Sequence, residues 1–214
     1  MGKKQDVLTE LLASLGALGA HRRPGLQDLR AAALDAEAMT VFQDLGGQSR
    51  TVPTRAGKWD IVFDGIAVEL DEQLHFNRYR ALTLGSGVYR RLPNFPAAGY
   101  ATLCRQREAA CLRAGSYGGK WSNPSCERQF GPAGPLGDLQ GAGAPRWKQR
   151  AFYDFLKDLA PLALGLPVAR LAIWEPLPGD PGGRLLGACL DDPAPQTGPL
   201  VARFVRMRAS GAVA

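Results

Sequence analysis

The chain has 214 residues, of which 45% are hydrophobic and 21% are charged, and it carries a formal net charge of +6. These values are those of a globular protein with a sizeable core, and they exclude a disordered or collagen-like chain. No apolar run reaches the length of a membrane span, and the first residues lack the apolar segment of a signal peptide. We therefore expect one cytoplasmic domain over 1–214 with no membrane partner. Its basic excess is compatible with a polyanionic partner.

The first 47 residues are predicted to be helical. Apolar side chains recur at helical spacing over 5–19 and again from Leu26 to Leu45, where Gly46 and Gly47 end the pattern. Glu10 lies on the flank of the first apolar stripe. Its simplest interpretation is a solvated acid on the surface of a helix.

The stretch 55–75 contains the strongest local signal in the chain. Asp64-Gly65 separates two apolar runs, and this dipeptide is typical of a two-residue hairpin turn in which both residues have positive φ. Counting outward pairs Phe63 with Ile66 and Asp60 with Glu69. We expect one apolar face, made of Trp59, Ile61, Phe63, Ile66, Val68 and Leu70, and one polar face, made of Lys58, Asp60, Val62, Ala67, Glu69 and Asp71. If the second strand continues, Gln73 and His75 extend the polar face.

Three carboxylates, those of Asp60, Glu69 and Asp71, are thus predicted to share one face of the hairpin. Like charges that face each other across a sheet are destabilising. Two unit charges about 4 Å apart repel by about 1 kcal/mol in water and by ~4 kcal/mol near a protein surface. Either Lys58 or a bound cation must compensate, and a set of carboxylate oxygens suits Mg²⁺ or Mn²⁺.

Basic and aromatic residues follow the hairpin. The pattern over 76–84 fits either a continued strand or a new helix, and a helix is predicted over 102–114. A Gly- and Pro-rich loop is predicted over 115–145, and loops of this length are usually functional or disordered. Lys120 and Trp121 in it suit phosphate pairing and base stacking, although Trp121 also suits a core anchor. A basic cluster suits the phosphate backbone or forms a plain solvated face; its members are Arg78, Arg80, Arg90 and Arg91.

The last part of the chain, 146–208, is predicted to combine a helix with strands. Pro145 suits the first turn of a helix that carries Arg146, Lys148 and Arg150 in its first turns and ends at Pro161. A buried strand is expected over 168–174 and a final strand over 200–207. A helix followed by such a strand favours an α/β crossover unit.

The cysteines give no metal-binding pattern. None forms a Cys-x-x-Cys pair, and with only His21 and His75 to complete a site the spacing does not match a zinc ribbon. We interpret all four as reduced, buried thiols: Cys104, Cys111, Cys126 and Cys189.

The acidic hairpin carries a resemblance to a known family. Asp60, eight residues, and then Glu69-Leu70-Asp71 resemble the Asp…Glu-x-Lys core of the PD-(D/E)xK nuclease superfamily. The run from Glu69 to His75, followed by Asn77-Arg-Tyr-Arg80, is similar to the Glu-x-Asp-Gly…His pattern of small endonuclease domains related to the very short patch repair endonuclease. The resemblance covers about 55–115. It implies an α/β restriction-endonuclease-like core, with a mixed central sheet flanked by helices and the hairpin as active-site motif.

The resemblance also implies roles for single residues. Asp60 and Glu69 would hold Mg²⁺ or Mn²⁺, assisted by Asp71 or, from the first helix, by Glu10. The chain departs from the superfamily at position 71, where Asp stands in place of Lys. The missing amine could come from Lys58, or the attacking water could be oriented by two other residues of the polar face, Gln73 and His75.

These patterns together favour a metal-dependent endonuclease that acts on nucleic acid, DNA rather than RNA, in restriction, defence or repair. Two alternatives stay open. One is a catalytically inactive nucleic-acid-binding module on the same scaffold. The other is a plain interaction protein whose acids pair with Lys58, Arg78 and Arg80. Homodimerisation is compatible with each of these interpretations.

Overall fold

The protein is a mixed α/β fold, described here for residues 2–210 of a computed structural model. Its three strands are β1 (Ile61–Phe63), β2 (Ile66–Asp71) and β3 (Val168–Ala172). The helices of this part of the chain are α1 (Lys3–Ala13), α2 (Leu26–Ala31), α3 (Asp35–Asp44), α4 (Arg78–Thr83), α5 (Ala97–Gly115), α6 (Gly118–Trp121), α7 (Pro124–Phe130), α8 (Pro145–Asp158), α9 (Ala160–Leu164), α10 (Leu186–Asp191) and α11 (Thr197–Ser210). Short 3-10 turns span Gln73–His75 and Gly87–Arg91.

The sheet is small and mixed, with the strand order β1-β2-β3. β1 and β2 form the antiparallel hairpin, whereas β3 runs parallel to β2 with Glu69 opposite Arg170. Parallel neighbours need a long crossover connection. Here the crossover includes α4 to α9, and it brings α8 against the sheet.

The two faces of the sheet have different partners. One face is apolar and packs against α1, α10 and α11 in a buried cluster that includes Phe63, Val68 and Leu171. The opposite face carries Glu69 and Arg170, both of which reach residues of α8. A larger apolar cluster lies between α8 and the helices α3, α4, α5 and α7. The charged face of the sheet is therefore covered by α8 and is not exposed to solvent.

The predicted hairpin register is confirmed. Ile61 pairs with Val68 and Phe63 pairs with Ile66, and the turn residues Asp64 and Gly65 have φ of +48° and +78°. The placement of Trp59 on the apolar face was wrong, because it packs in a separate small cluster on the other side. The reason is local. β1 begins only at Ile61, and the alternation of side chains does not extend through the bend at residue 60.

The helical predictions hold in outline and change at their ends. The first helix stops at Ala13, and the helix predicted from Leu26 to Leu45 is two helices, because Ala33 takes a φ of +53° between them. The ambiguous stretch after the hairpin is the helix α4. Asn77 caps it by accepting hydrogen bonds from the backbone N–H groups of Tyr79 and Arg80.

Two predictions for the second half of the chain need correction, and one is confirmed. The loop 115–145 contains the helices α6 and α7, so that its longest irregular stretch is 131–144. The strand predicted over 168–174 is present as β3. The strand predicted over 200–207 is wrong, since this segment is the helix α11. Its buried residues are spaced for one helix face; they include Val201, Ala202, Phe204 and Val205.

Each of the four cysteines is a buried free thiol. Burial raises the pKa of Cys104 to about 11 and that of Cys111 to about 12. Within residues 2–210 no helix combines the length and the apolar character that a membrane crossing requires.

Candidate active site

A cleft of about 150 Å³ lies between the hairpin and α8. The hairpin side contributes two carboxylates. The helix α8 contributes cations together with one further carboxylate. Charged and polar groups from distant parts of the chain therefore meet at one opening. The residues that line it are Gly57, Asp60, Glu69, His75, Arg146, Arg150, Tyr153, Asp154 and Lys157.

The α8 side of the cleft is one stripe of the helix. Residues three or four positions apart lie on the same helical face. Arg146, Arg150, Tyr153, Asp154 and Lys157 follow this spacing. The opposite face of α8 carries the aromatic and aliphatic residues of the large core. Packing of that apolar face therefore aims the polar stripe at the sheet.

The hairpin side brings Asp60 and Glu69 together, as predicted. The backbone N–H of Asp60 donates to Oε1 of Glu69 at 3.2 Å. Oδ2 of Asp60 accepts a hydrogen bond from the backbone N–H of Leu70 at 2.9 Å. These two bonds tie the start of β1 to β2 and hold both carboxylates at the cleft.

Lys157 of α8 brings an ammonium group to the acids of the hairpin. Its Nζ lies 2.7 Å from both carboxylate oxygens of Glu69 and 2.9 Å from the backbone carbonyl oxygen of Lys58. The prediction that Lys58 provides this amine needs correction, because the Lys58 side chain is exposed and only its carbonyl contacts Lys157. The helical spacing of Lys157 with Arg146 and Arg150 was the signal in the sequence that could have identified it.

Burial dominates the electrostatics of the two hairpin acids. It raises the pKa of Glu69 to about 7, although the charge of Lys157 acts in the opposite direction. Burial also raises the pKa of Asp60. Both shifts mean that ionising Asp60 and Glu69 costs more free energy in this low-dielectric position than it would in water. A divalent cation would favour the ionised forms.

A second group of candidate ligands lies beside the first. Asp71, His75 and Asp154 offer ligand atoms that all lie within 4.8 Å of one another. Nδ1 of His75 is 3.1 Å from Oδ1 of Asp71 and 2.9 Å from Oδ2 of Asp154. Burial by itself would lower the pKa of His75, but Asp154 and Asp71 outweigh it and raise the pKa. The structure therefore groups Asp71 with His75 rather than with the pair formed by Asp60 and Glu69.

A buried ion-pair network lies behind this second group. Nη1 of Arg170 is 2.6 Å from Oδ1 of Asp71, and Arg170 also pairs with Asp154 and Asp158. Nη2 of Arg80 lies 2.7 Å from Oδ2 of Asp158. Arg80 is only 1% exposed, so the prediction that it contacts a nucleic-acid backbone needs correction.

Two further candidates from the sequence lie away from the cleft. Glu10 is exposed on α1 and lies more than one helical turn beyond Gln5, the residue of that helix that approaches the site. Nε2 of Gln5 donates to the backbone carbonyl of Asp60 at 3.3 Å. Gln73 begins a 3-10 turn, is half-buried and does not line the cleft.

The residues predicted to contact nucleic acid do not lie on one surface. Arg146 lines the cleft, whereas Arg78 pairs with Glu108 at 2.7 Å. Arg90 and Arg91 are exposed outside the cleft.

The remaining three predicted contacts lie on packed parts of the structure. Trp121 is 2% exposed and packs edge-on against Trp147, which supports the core-anchor interpretation. Lys120 is exposed over the Tyr117 ring, and Lys148 is buried over the Tyr79 ring. Arg150, which was predicted on the basic first turns of α8 but not as a nucleic-acid contact, lines the cleft.

Comparison with protein families finds a match over residues 40–191 to DUF7255, a family of unknown function. The matched segment contains both walls of the cleft and excludes α1 and α11. No curated protein and no solved structure matches the chain significantly.

Proposed function

We propose that this chain, which belongs to DUF7255, a family of unknown function, is a metal-dependent nuclease that hydrolyses phosphodiester bonds. The observation that carries the proposal is the meeting of Asp60, Glu69 and Lys157 in one cleft bordered by arginines. Two acids and an ammonium group are the set that the resemblance to PD-(D/E)xK nucleases implies. The hairpin with a parallel third strand and flanking helices is compatible with a restriction-endonuclease-like core, which is part of the proposal.

The donor set fits a hard divalent cation. Asp60 and Glu69 offer carboxylate oxygens, which are the ligands that Mg²⁺ and Mn²⁺ prefer. Within residues 2–210, Oδ1 of Asp60 makes no hydrogen bond, so it is available as a ligand atom. The raised pKa values of both acids point the same way, because a cation would offset the repulsion and the burial. A bound ion of this kind lowers the pKa of a water molecule and offsets charge that builds on a phosphate.

The protein side chains have separate roles in this proposal. Asp60 and Glu69 hold the cation, and the buried ammonium of Lys157 stands beside Glu69, where it positions the attacking water or stabilises charge on the phosphate. His75, held by Asp71 and Asp154, borders the same cleft and can take or give a proton through its other ring nitrogen. Arg146 holds the backbone of the substrate at the rim. DNA is the first substrate to test, as the resemblance implies.

One observation favours the alternative, a nucleic-acid-binding module without catalysis. Both carboxylate oxygens of Glu69 already contact the Lys157 ammonium at 2.7 Å. In a module of this kind the ammonium takes the place of the cation. Nucleic acid would then bind to the arginines with no metal requirement.

The test is a cleavage assay on plasmid DNA, linear DNA and RNA with Mg²⁺, with Mn²⁺ or with EDTA. We expect cleavage only with the metal, and a loss of at least about 100-fold in Glu69→Gln, because a displaced ligand misplaces the reacting groups. Glu10→Gln is the matched control, since it removes an exposed acid away from the cleft. Equal activity of the two variants, or no cleavage of any substrate, contradicts the proposal.

A calorimetric titration with Mn²⁺ separates the two candidate functions. A saturable site that disappears in Asp60→Asn supports the nuclease. Salt-dependent binding of nucleic acid without any such site supports the module.

A further inference from the structure

Arg150 is a cleft cation that makes no ion pair in the part of the chain that the structure describes. Its guanidinium nitrogen Nη1 is sealed from solvent and has no hydrogen-bond partner. Within residues 2–210 no carboxylate oxygen lies within 4.0 Å of it, the limit that the ion pairs of Arg170 and Arg80 satisfy. The side chain of Arg150 is half-buried, and a guanidinium nitrogen that is sealed from solvent without a partner is costly to the folded protein. We therefore looked for a group that could offset this cost.

A second cation increases this cost. Arg146 lies one helical turn before Arg150 on the same stripe of α8, and both line the cleft. Burial is the largest cause of the lowered pKa of Arg150; the carboxylate of Asp154 opposes it, and the positive charge of Arg146 adds to it. Nη1 of Arg146 donates only to the neutral amide of Gln149. Two guanidinium groups thus line one opening, and among residues 2–210 neither of them makes an ion pair with a carboxylate.

Other arginines show how the chain treats a guanidinium that has a structural role. Arg170 contacts three carboxylates and Arg80 contacts one, together with the hydroxyl group of Tyr89. Arg107 also has a buried Nε without a partner, but its guanidinium stacks over the Trp174 ring at 4.6 Å. Arg150 has neither arrangement.

We propose that Arg150 and Arg146 form a phosphate-binding subsite, which holds a backbone phosphodiester of the nucleic acid next to the acidic pair. A planar guanidinium matches the oxygens of a phosphate in a bidentate manner, which a lysine cannot do. The assignment to a nucleic-acid backbone rests on the proposed function, whereas the anion site itself rests on the unpaired guanidinium. The subsite is separate from the carboxylates that hold the cation.

A ligand-binding role and a structural role of Arg150 predict opposite effects of its replacement on the melting temperature. If Arg150 is held in place for a ligand, its replacement by a neutral residue of similar shape removes an uncompensated half-buried charge. Arg150→Gln should therefore raise the melting temperature while it weakens binding. An arginine that supports the fold would show the reverse, a lower melting temperature.

The experiment measures binding of a fluorescein-labelled DNA duplex by anisotropy in EDTA, at several salt concentrations, for wild type, Arg150→Gln and Arg105→Gln. Arg105 is exposed on α5 and donates only to Thr102, so it is the matched control. We expect Arg150→Gln to weaken binding by about tenfold and to reduce the salt slope by about 1, as the loss of one phosphate contact requires. Arg105→Gln should match wild type, and Arg150→Lys should recover only part of the affinity.

A second measurement uses inorganic phosphate as the probe, at constant ionic strength. Phosphate should raise the melting temperature of wild type and leave that of Arg150→Gln unchanged. Stabilisation by phosphate without duplex binding would keep the anion site but overturn its assignment to nucleic acid. The proposal is overturned if Arg150→Gln binds like wild type, if Arg105→Gln weakens binding equally, if Arg150→Gln lowers the melting temperature, or if neither probe binds.

These measurements do not depend on cleavage, because they are made without a divalent cation. A protein that never cleaves DNA but loses salt-dependent binding in Arg150→Gln retains the subsite and loses the nuclease proposal. A protein that cleaves DNA with unchanged substrate binding in Arg150→Gln retains the nuclease and loses the subsite.

Discussion

At the scale of single residues, the site depends on the surroundings of side chains rather than on their chemical type. Lys58 is close to Asp60 along the chain and Lys157 is not, yet the Lys58 side chain is in solvent whereas that of Lys157 is 8% exposed against Glu69. The buried ammonium interacts much more strongly with the hairpin acids, because charges attract more strongly where water is excluded.

The first prediction compares these two lysines. Lys157→Met should reduce metal-dependent cleavage by at least about 100-fold, since it removes a charge-stabilising group from the site. Lys58→Met should stay within about twofold of wild type, because an exposed cation outside the cleft is screened by solvent. Single-turnover cleavage rates at saturating protein measure both. A matching loss in Lys58→Met would show that the exposed lysine, not the helical one, serves the chemistry.

The second prediction concerns Glu69 and pH. Folding raises the pKa of this carboxyl from 4.5 to about 7, so the folded chain binds its proton more tightly than the unfolded chain does. Its contribution to stability is therefore fully present below pH 4.5 and is lost as the pH rises through about 7. The loss is roughly 3 kcal/mol by the conversion of pKa shifts into free energy.

Urea unfolding in EDTA across this pH range measures the effect. The free energy of unfolding should fall with rising pH more steeply in wild type than in Glu69→Gln, and Mg²⁺ or Mn²⁺ at neutral pH should reverse part of the fall. Equal pH slopes in the two proteins would mean that Glu69 keeps an ordinary pKa in the folded state.

At the scale of elements, the hairpin forms one wall of the cleft and α8 forms the other. The hairpin sets the distance between Asp60 and Glu69, because its register follows from a two-residue turn. α8 brings its cations as one stripe, because its other face is buried in the large core. Each element is therefore positioned by features outside the site.

The third prediction is that the hairpin depends on Gly65. This residue has a φ of +78°, and a Cβ added to it would meet no atom within 4 Å, so the cost of a substitution is conformational alone. Gly65→Ala should lower the free energy of unfolding by about 1 kcal/mol. Gly57→Ala is the control, since its surroundings are equally open and its φ is not positive. Thermal unfolding of both variants decides whether the turn, rather than the loss of a glycine, has this effect.

At the scale of the whole molecule, a buried ionic network joins the sheet to the helices on its charged face. Arg170 of β3 contacts Asp154 and Asp158 of α8 and Asp71 of β2, and Asp158 in turn contacts Arg80 of α4. The cost of burying these charges is offset only while each keeps its partner. The network therefore couples the wall of the cleft to the crossover that encloses it.

The fourth prediction compares a buried with an exposed arginine. Arg170→Met should reduce the free energy of unfolding by about 3–5 kcal/mol, because it leaves buried carboxylates without their cation. Arg30→Met should change it by less than about 1 kcal/mol, since Arg30 is 63% exposed and lies 3.9 Å from Asp35. Urea unfolding at neutral pH measures both, and a loss in Arg170→Met no larger than in Arg30→Met would contradict a cooperative network.

Local patterns in the sequence were sufficient for the hairpin and for the strand β3. An Asp-Gly turn and alternation specify register between neighbours in the chain, so these two features were enough to predict that Asp60 and Glu69 come together. The same patterns misplaced Trp59 and the final helix. A bend interrupts the alternation at the first, whereas Val201, Phe204 and Val205 have the spacing of one helix face, so the strand prediction for this segment misread the sequence.

The sequence by itself thus determined where two acids meet, because a tight turn and side-chain alternation act over a few bonds. Only the tertiary structure decided which cation neutralises them, since Lys157 lies 88 residues beyond Glu69 and reaches it through the parallel crossover. It also decided that Arg80 is enclosed while Arg150 lines the cleft and, within residues 2–210, makes no ion pair. Burial and charge pairing depend on which elements pack together, and no spacing along the chain encodes that.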